Sequence, residues 1–207
     1  MIAAQYAAAV WAAARGFGVM ALVLLSATVA LGLVARSGRS LPGLPRFALA
    51  RVHGSAALVA AGLVAVHVLT ILIDPYAQVR LVDAVVPFAA GYRPFWVGLG
   101  TLAFDLVGLI VLTSLARRRI GPRGWRAAHL TAYALWPLAL AHGVGSGSDA
   151  GAHWMWFVDA ASALMVAAGG AVLLGARRPP SPPRPGRSPS RPLSTHAPTT
   201  ARTEAVR

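Results

Sequence analysis

The chain has no cysteine, so disulfides, iron–sulfur clusters and thioether-linked haem are excluded, and any metal or cofactor must be held by histidine or oxygen ligands. It also has no lysine: its entire positive charge is arginine, a usage read here as compositional bias and not as function. Charge of either kind is scarce, at 12% of 207 residues, and Asp and Glu together number only 6. A soluble domain of this size carries about twice that share of charge. What fills the chain instead is apolar, at 57%, arranged in long runs. That profile belongs to an integral membrane protein.

A spanning helix needs about 20 mostly apolar residues. Five stretches meet that length approximately: 16–35, 52–73, 95–115, 126–143 and 154–176. The expected fold is therefore all-α, an integral membrane helical bundle of about five transmembrane helices. The first stretch has no basic start and is followed by Arg36 and Arg39, which reads as an anchor and not as a cleaved signal. The N-terminal segment 1–15, "IAAQYAAAVWAAA" at its heart, reads either as a short extracytoplasmic or interfacial helix or as an extension of helix one. The connection 74–94 is mildly amphipathic and suggests an interfacial helix over the mouth of the bundle. The segment 177–207 is rich in Arg, Pro and Ser and reads as a disordered tail.

Arginine placement sets the expected topology. Sixteen of the nineteen follow helices one, three and five, leaving Arg15, Arg80 and Arg93 for the other side. The positive-inside rule then puts the N-terminus outside and the C-terminus in the cytoplasm of a multi-pass cell-membrane protein. The same asymmetry explains the net charge of +13 without nucleic acid as a partner.

Against this background the histidines stand out, because an ionisable side chain within a bilayer is costly and marks a functional path. His53 and His67 bracket "GSAALVAAGLVAV" in helix two, and His129 and His142 bracket "LTAYALWPLALA" in helix four. Both helices run from inside to outside, so His53 and His129 share one depth and His67 and His142 the other. Fourteen residues rise about 21 Å and turn about 1400°, which leaves the two rings of helix two on one face. Thirteen residues leave those of helix four about 140° apart, so Pro137 or the glycines after His142 must bring the second ring round. Two imidazoles facing one another at each of two depths suit the iron of a haem, whereas zinc would want further ligands nearby.

The chain resembles the ferric reductase-like transmembrane superfamily, which includes the membrane domain of NADPH oxidases and the haem subunit of bacterial methionine sulfoxide reductase systems. The resemblance rests on the two His-bracketed segments, on "LTSLARRRIGPRGWRAAH" and on "HGVGSGSD", and extends over residues 16–176. It implies two b-type haems, one held by His53 with His129 and one by His67 with His142. It departs from the flavin-bearing members in having no strand–glycine loop–helix for a dinucleotide, so no flavin or NADPH site is expected on this chain alone. The expectation is a di-haem electron-transfer subunit, an oxidoreductase component embedded in lipid. It would work between a quinol or separate flavoprotein donor and an acceptor such as ferric iron, oxygen or an extracytoplasmic redox protein. The rival reading is a membrane transporter or metal-binding protein whose histidines relay protons or metal ions.

Arg51 and Arg126 precede the inner histidines closely and are expected to meet anionic haem propionates, with Arg123 and Trp125 behind them. Arg80, Arg93 and Tyr92 are the outer counterparts. Asp105, in mid-helix three, is expected to be a buried carboxylate that is neutral, paired or proton-relaying. Asp149, Asp159 and His153 are assigned to the outer mouth, and His196 falls in the tail.

Overall fold

The computed structural model describes residues 1–176 apart from 148 and 150; the tail 177–207, with His196 and seven of the arginines, lies outside the described residues. Among the described residues there are six α-helices and one short 3₁₀ turn.

Helix α1 is a single helix, Ile2–Ser37. Of the two readings open for segment 1–15, extension of helix one is the one the fold takes: the alanine-rich start is a strong helix former and no proline interrupts the run before Pro42. Gly38, in the left-handed conformation (φ 73°), ends the helix by donating its N–H to the Ala35 carbonyl. Pro42 and Gly43 (φ 72°) then turn the chain between Leu41 and Leu44. Pro45, extended, launches α2, Arg46–Ile73.

The connection 74–93 holds no amphipathic helix, contrary to the sequence expectation. Its only helical element is the 3₁₀ turn Leu81–Ala84, fixed by Arg80, which donates to both Asp83 carboxylate oxygens at 2.9 and 3.2 Å. Pro94 opens α3, Pro94–Leu115, from Arg93 in a left-handed conformation. The span expected at 126–143 is two helices, α4 (Arg117–Leu130) and α5 (Ala132–Ser146). Helix α4 is itself kinked where Gly121 (φ 73°) precedes Pro122. Helix α6 runs His153–Ala176.

Four helices, α1, α2, α3 and α6, are long and apolar enough to cross a membrane; α5, at 15 residues, is shorter than a full span. The protein is a helical membrane bundle. Its large outward side chains agree: Leu58 is 73% and Leu164 70% exposed, surface that lipid and not water would cover.

Helix α1 is the central post. It packs along α2 on one side and α6 on the other and touches α5, while α3 packs on α5 and α4. Where α6 crosses α1, Gly169 lies directly on the backbone of Ala30, the close approach that small residues permit in lipid. Helix α2 meets α3 only marginally and does not pack along α5. A layer of Leu25, Ala60, Ala103, Val107 and Leu135 closes the middle of the bundle. Ala60 and Leu135 lie about midway between the two histidines of their own segments, so this layer separates two levels.

Candidate functional site

At each level two histidine rings face one another. His53 of α2 and His129 of α4 have ring centroids 6.1 Å apart with planes at 75°. His67 of α2 and His142 of α5 have centroids 6.4 Å apart at 74°. Two imidazoles on opposite sides of one metal, with each nitrogen about 2 Å from it, place their ring centres roughly 6 Å apart. Both pairs have that separation.

The hydrogen bonds say which nitrogen is free. His53 Nδ1 is 2.9 Å from the Thr28 carbonyl, His67 Nδ1 is 2.8 Å from that of Ala14, and His142 Nδ1 is 2.9 Å from that of Trp96. A carbonyl only accepts, so each Nδ1 carries its proton and donates. In a neutral ring Nε2 is then left with its lone pair, the state a metal ligand requires. Ser146 Oγ also lies 3.1 Å from His142 Nδ1. His129 Nδ1 is buried with no hydrogen-bond partner.

Each accepting carbonyl is followed four residues later by a glycine. A Cβ on Gly18 would lie 3.0 Å from the His67 ring, one on Gly32 3.1 Å from His53, and one on Gly100 2.5 Å from His142. In a helix the side chain at i+4 flanks the carbonyl of residue i; without it, an imidazole can reach the oxygen. These glycines, and the part α1 takes in seating the rings, were missed in the sequence reading. A signal was available: Gly18 and Gly32 are fourteen residues apart, the same step as His53 to His67.

Helix four resolves its rotation problem at Thr131. Thr131 N–H bonds to Ala128 and Ala134 N–H to Thr131, both i→i−3, so the chain is tightened there between the two histidines. The break precedes Pro137 by about two turns of such a tightened chain, and Pro137 itself lies inside α5.

A cavity of about 530 Å³ adjoins the second level, with His67, His142, Gly18 and Gly100 in its wall. Near its mouth Arg15 pairs with Asp149 and lies over Trp11. Arg93 donates to the Gly145 carbonyl at 2.6 Å and lies over Tyr92. Arg80 is committed to Asp83, a residue to which the sequence reading gave no role; the guanidinium's hydrogen bonds hold that carboxyl below the usual carboxylate range. Asp83 also accepts, through its carbonyl, from Thr101 of α3 at 2.8 Å.

Arg51 and Arg126 are exposed, near His53 and His129 in sequence, as is Arg123. Asp105 departs from expectation: it is exposed, one turn along α3 from the buried Thr101. Asp159 is partly buried, with Oδ1 lacking a partner, and His153 stands against Trp156 away from both levels. Among the described residues no three His, Asp or Glu side chains converge as a metal cluster.

In comparison with known families, the profile of the ferric reductase like transmembrane component fits residues 17–140. Three of the four histidines fall inside that stretch, and His142 lies two residues beyond it. No curated protein and no solved structure matches the chain.

Proposed function

We propose that this chain, which belongs to the ferric reductase-like transmembrane family, carries electrons across the membrane with two b-type haems. His53 and His129 would hold one, and His67 and His142 the other. The observation that carries this reading is the repeated pair geometry, 6.1 and 6.4 Å between ring centres, with Nδ1 tied to a carbonyl in three of the four rings. A bound haem supplies an iron that takes and gives one electron. The chain's own part is to hold the ligating rings in the correct tautomer, to keep water from the apolar walls around them, and to separate the two levels by the Leu25–Ala60–Leu135 layer.

Arg51 and Arg126 are the cations we assign to haem propionates at the His53–His129 level. The arginine distribution supports an outer N-terminus and a cytoplasmic C-terminus, which makes the His53–His129 level the inner one. We take a quinol or a separate flavoprotein as the donor. Ferric iron, oxygen or an extracytoplasmic redox protein would be the acceptor.

The test is the absorption spectrum and haem content of the purified chain. Two b haems per chain are expected. His53→Ala and His129→Ala should abolish one spectral component, and His67→Ala and His142→Ala the other. Full haem content in all four variants would defeat the ligand assignment, and a colourless protein binding zinc or copper would favour the rival metal-relay reading.

A further inference from the structure

Three of the four rings sit in the same device, a carbonyl with glycine four residues on: Ala14 with Gly18, Thr28 with Gly32, and Trp96 with Gly100. On α1 the two seats are fourteen residues apart. The same step along α3 from Trp96 and Gly100 reaches Ile110 and Ser114. There the device is altered. The Thr113 hydroxyl donates to the Leu109 carbonyl at 2.6 Å and lies 3.2 Å from that of Ile110, and Ser114 places a side chain where glycine stands in the other three. His129, the ring that would use this seat, has its Nδ1 buried without a partner. Its ring is instead stacked on Trp125, centroids 5.0 Å apart and planes at 22°, and Trp125 Nε1 donates to Ser114 Oγ at 3.3 Å.

We propose that Ser114 and Trp125 are the positioning residues of His129, replacing a hydrogen-bonded seat by an anchored aromatic stack, and that the His53–His129 level is in consequence the more oxidising of the two. The physical reason lies in the second nitrogen. An imidazole that donates Nδ1–H to a carbonyl is a stronger electron donor to a metal and favours its oxidised state. Both ligands of the other level donate in this way, and only His53 does so here. The exposed arginines Arg51 and Arg126 near this level act in the same direction, since nearby positive charge favours the reduced state. This inference rests on the two-haem reading above.

The experiment is a potentiometric titration of the full chain in lipid nanodiscs, followed by absorbance and by electron paramagnetic resonance. Two reduction steps are expected, the more positive one missing in His129→Ala and the more negative one missing in His142→Ala. Trp125→Leu should convert the low-spin signal of the His129 level toward high spin, and Trp125→Phe, which keeps a stack, should preserve it. Ser114→Ala, a milder change, should alter that level's signal and potential while leaving the His142 level as an internal control. The proposal is overturned if the more positive step belongs to the His142 level. It is equally overturned if Trp125→Leu and Ser114→Ala both leave the His129 signature unchanged. A wild-type chain holding fewer than two haems would overturn the two-haem reading itself, a distinguishable result.

Discussion

His67 donates through Nδ1 to the carbonyl of Ala14 at 2.8 Å, across a helix surface bared by Gly18. A histidine on α2 is thus oriented by the backbone of α1, and the residue that permits it has no side chain. The same relation joins His53 to Thr28 and His142 to Trp96.

Substitution of the seat glycines should displace the rings. A Cβ at position 100 would lie 2.5 Å from His142 Nδ1, too close to be absorbed without moving the imidazole or the helix. Gly100→Ala should lose most of the spectral component that His142→Ala loses, and Gly32→Ala should weaken the one that His53→Ala loses. Gly62→Ala, where nothing lies within 4 Å, is the control and should leave the spectrum as it is. Equal spectra for Gly100→Ala and Gly62→Ala would show that the close approach has no consequence.

Pro137 cannot donate to the Tyr133 carbonyl and crowds the turn before it, the side on which the i→i−3 bonds at Thr131 and Ala134 are found. Pro137→Ala should let α5 regularise and turn His142 away from His67. The signal of that level should change more than that of the His53–His129 level, as read by low-spin resonance. An effect confined to the His53–His129 level would mean that Thr131 alone sets the break.

The crossing of α1 and α6 depends on Gly169. A Cβ there would meet the Ala30 carbonyl oxygen and Cα at 2.9 Å, and backbone does not yield as a flexible side chain does. Gly169→Ala should cost about 1–3 kcal/mol, seen as a lower midpoint of thermal unfolding in detergent. Gly170→Ala, one residue on with nothing within 4 Å, should not lower it.

Asp83 gives a pH-dependent contribution with a definite sign. Its carboxyl is held below the ordinary aspartate range, first by the Arg80 side-chain hydrogen bond. A lowered carboxylate adds stability that is fully present above its unfolded value and is lost as pH falls through the folded one. Wild type should therefore exceed Asp83→Asn in thermal stability at neutral pH, and the gap should narrow only below about pH 4. A gap that closes between pH 8 and 6 would assign the effect to another group.

Much of the molecule is legible along the chain. Hydropathy and length mark α1, α2, α3 and α6, because each of these helices satisfies its backbone internally and can be judged from its own residues. The histidine pairs are legible for the same reason: steps of fourteen and thirteen residues in two segments of the same direction are a local property read twice. The family match over residues 17–140 agrees with the resemblance read from the sequence. Tertiary structure alone decided how the rings are held. Gly18 and His67 are unremarkable neighbours until α1 and α2 pack, and Gly100 meets His142 only when α3 lies against α5. Asp105 was misread as buried because a position in mid-helix says nothing about which face a neighbour covers. Helix four was misread as one span because proline position identifies the helix that bends but not the residue at which it yields. Hydropathy and spacing are summed within a segment; seats, faces and breaks are set by what another segment places beside it.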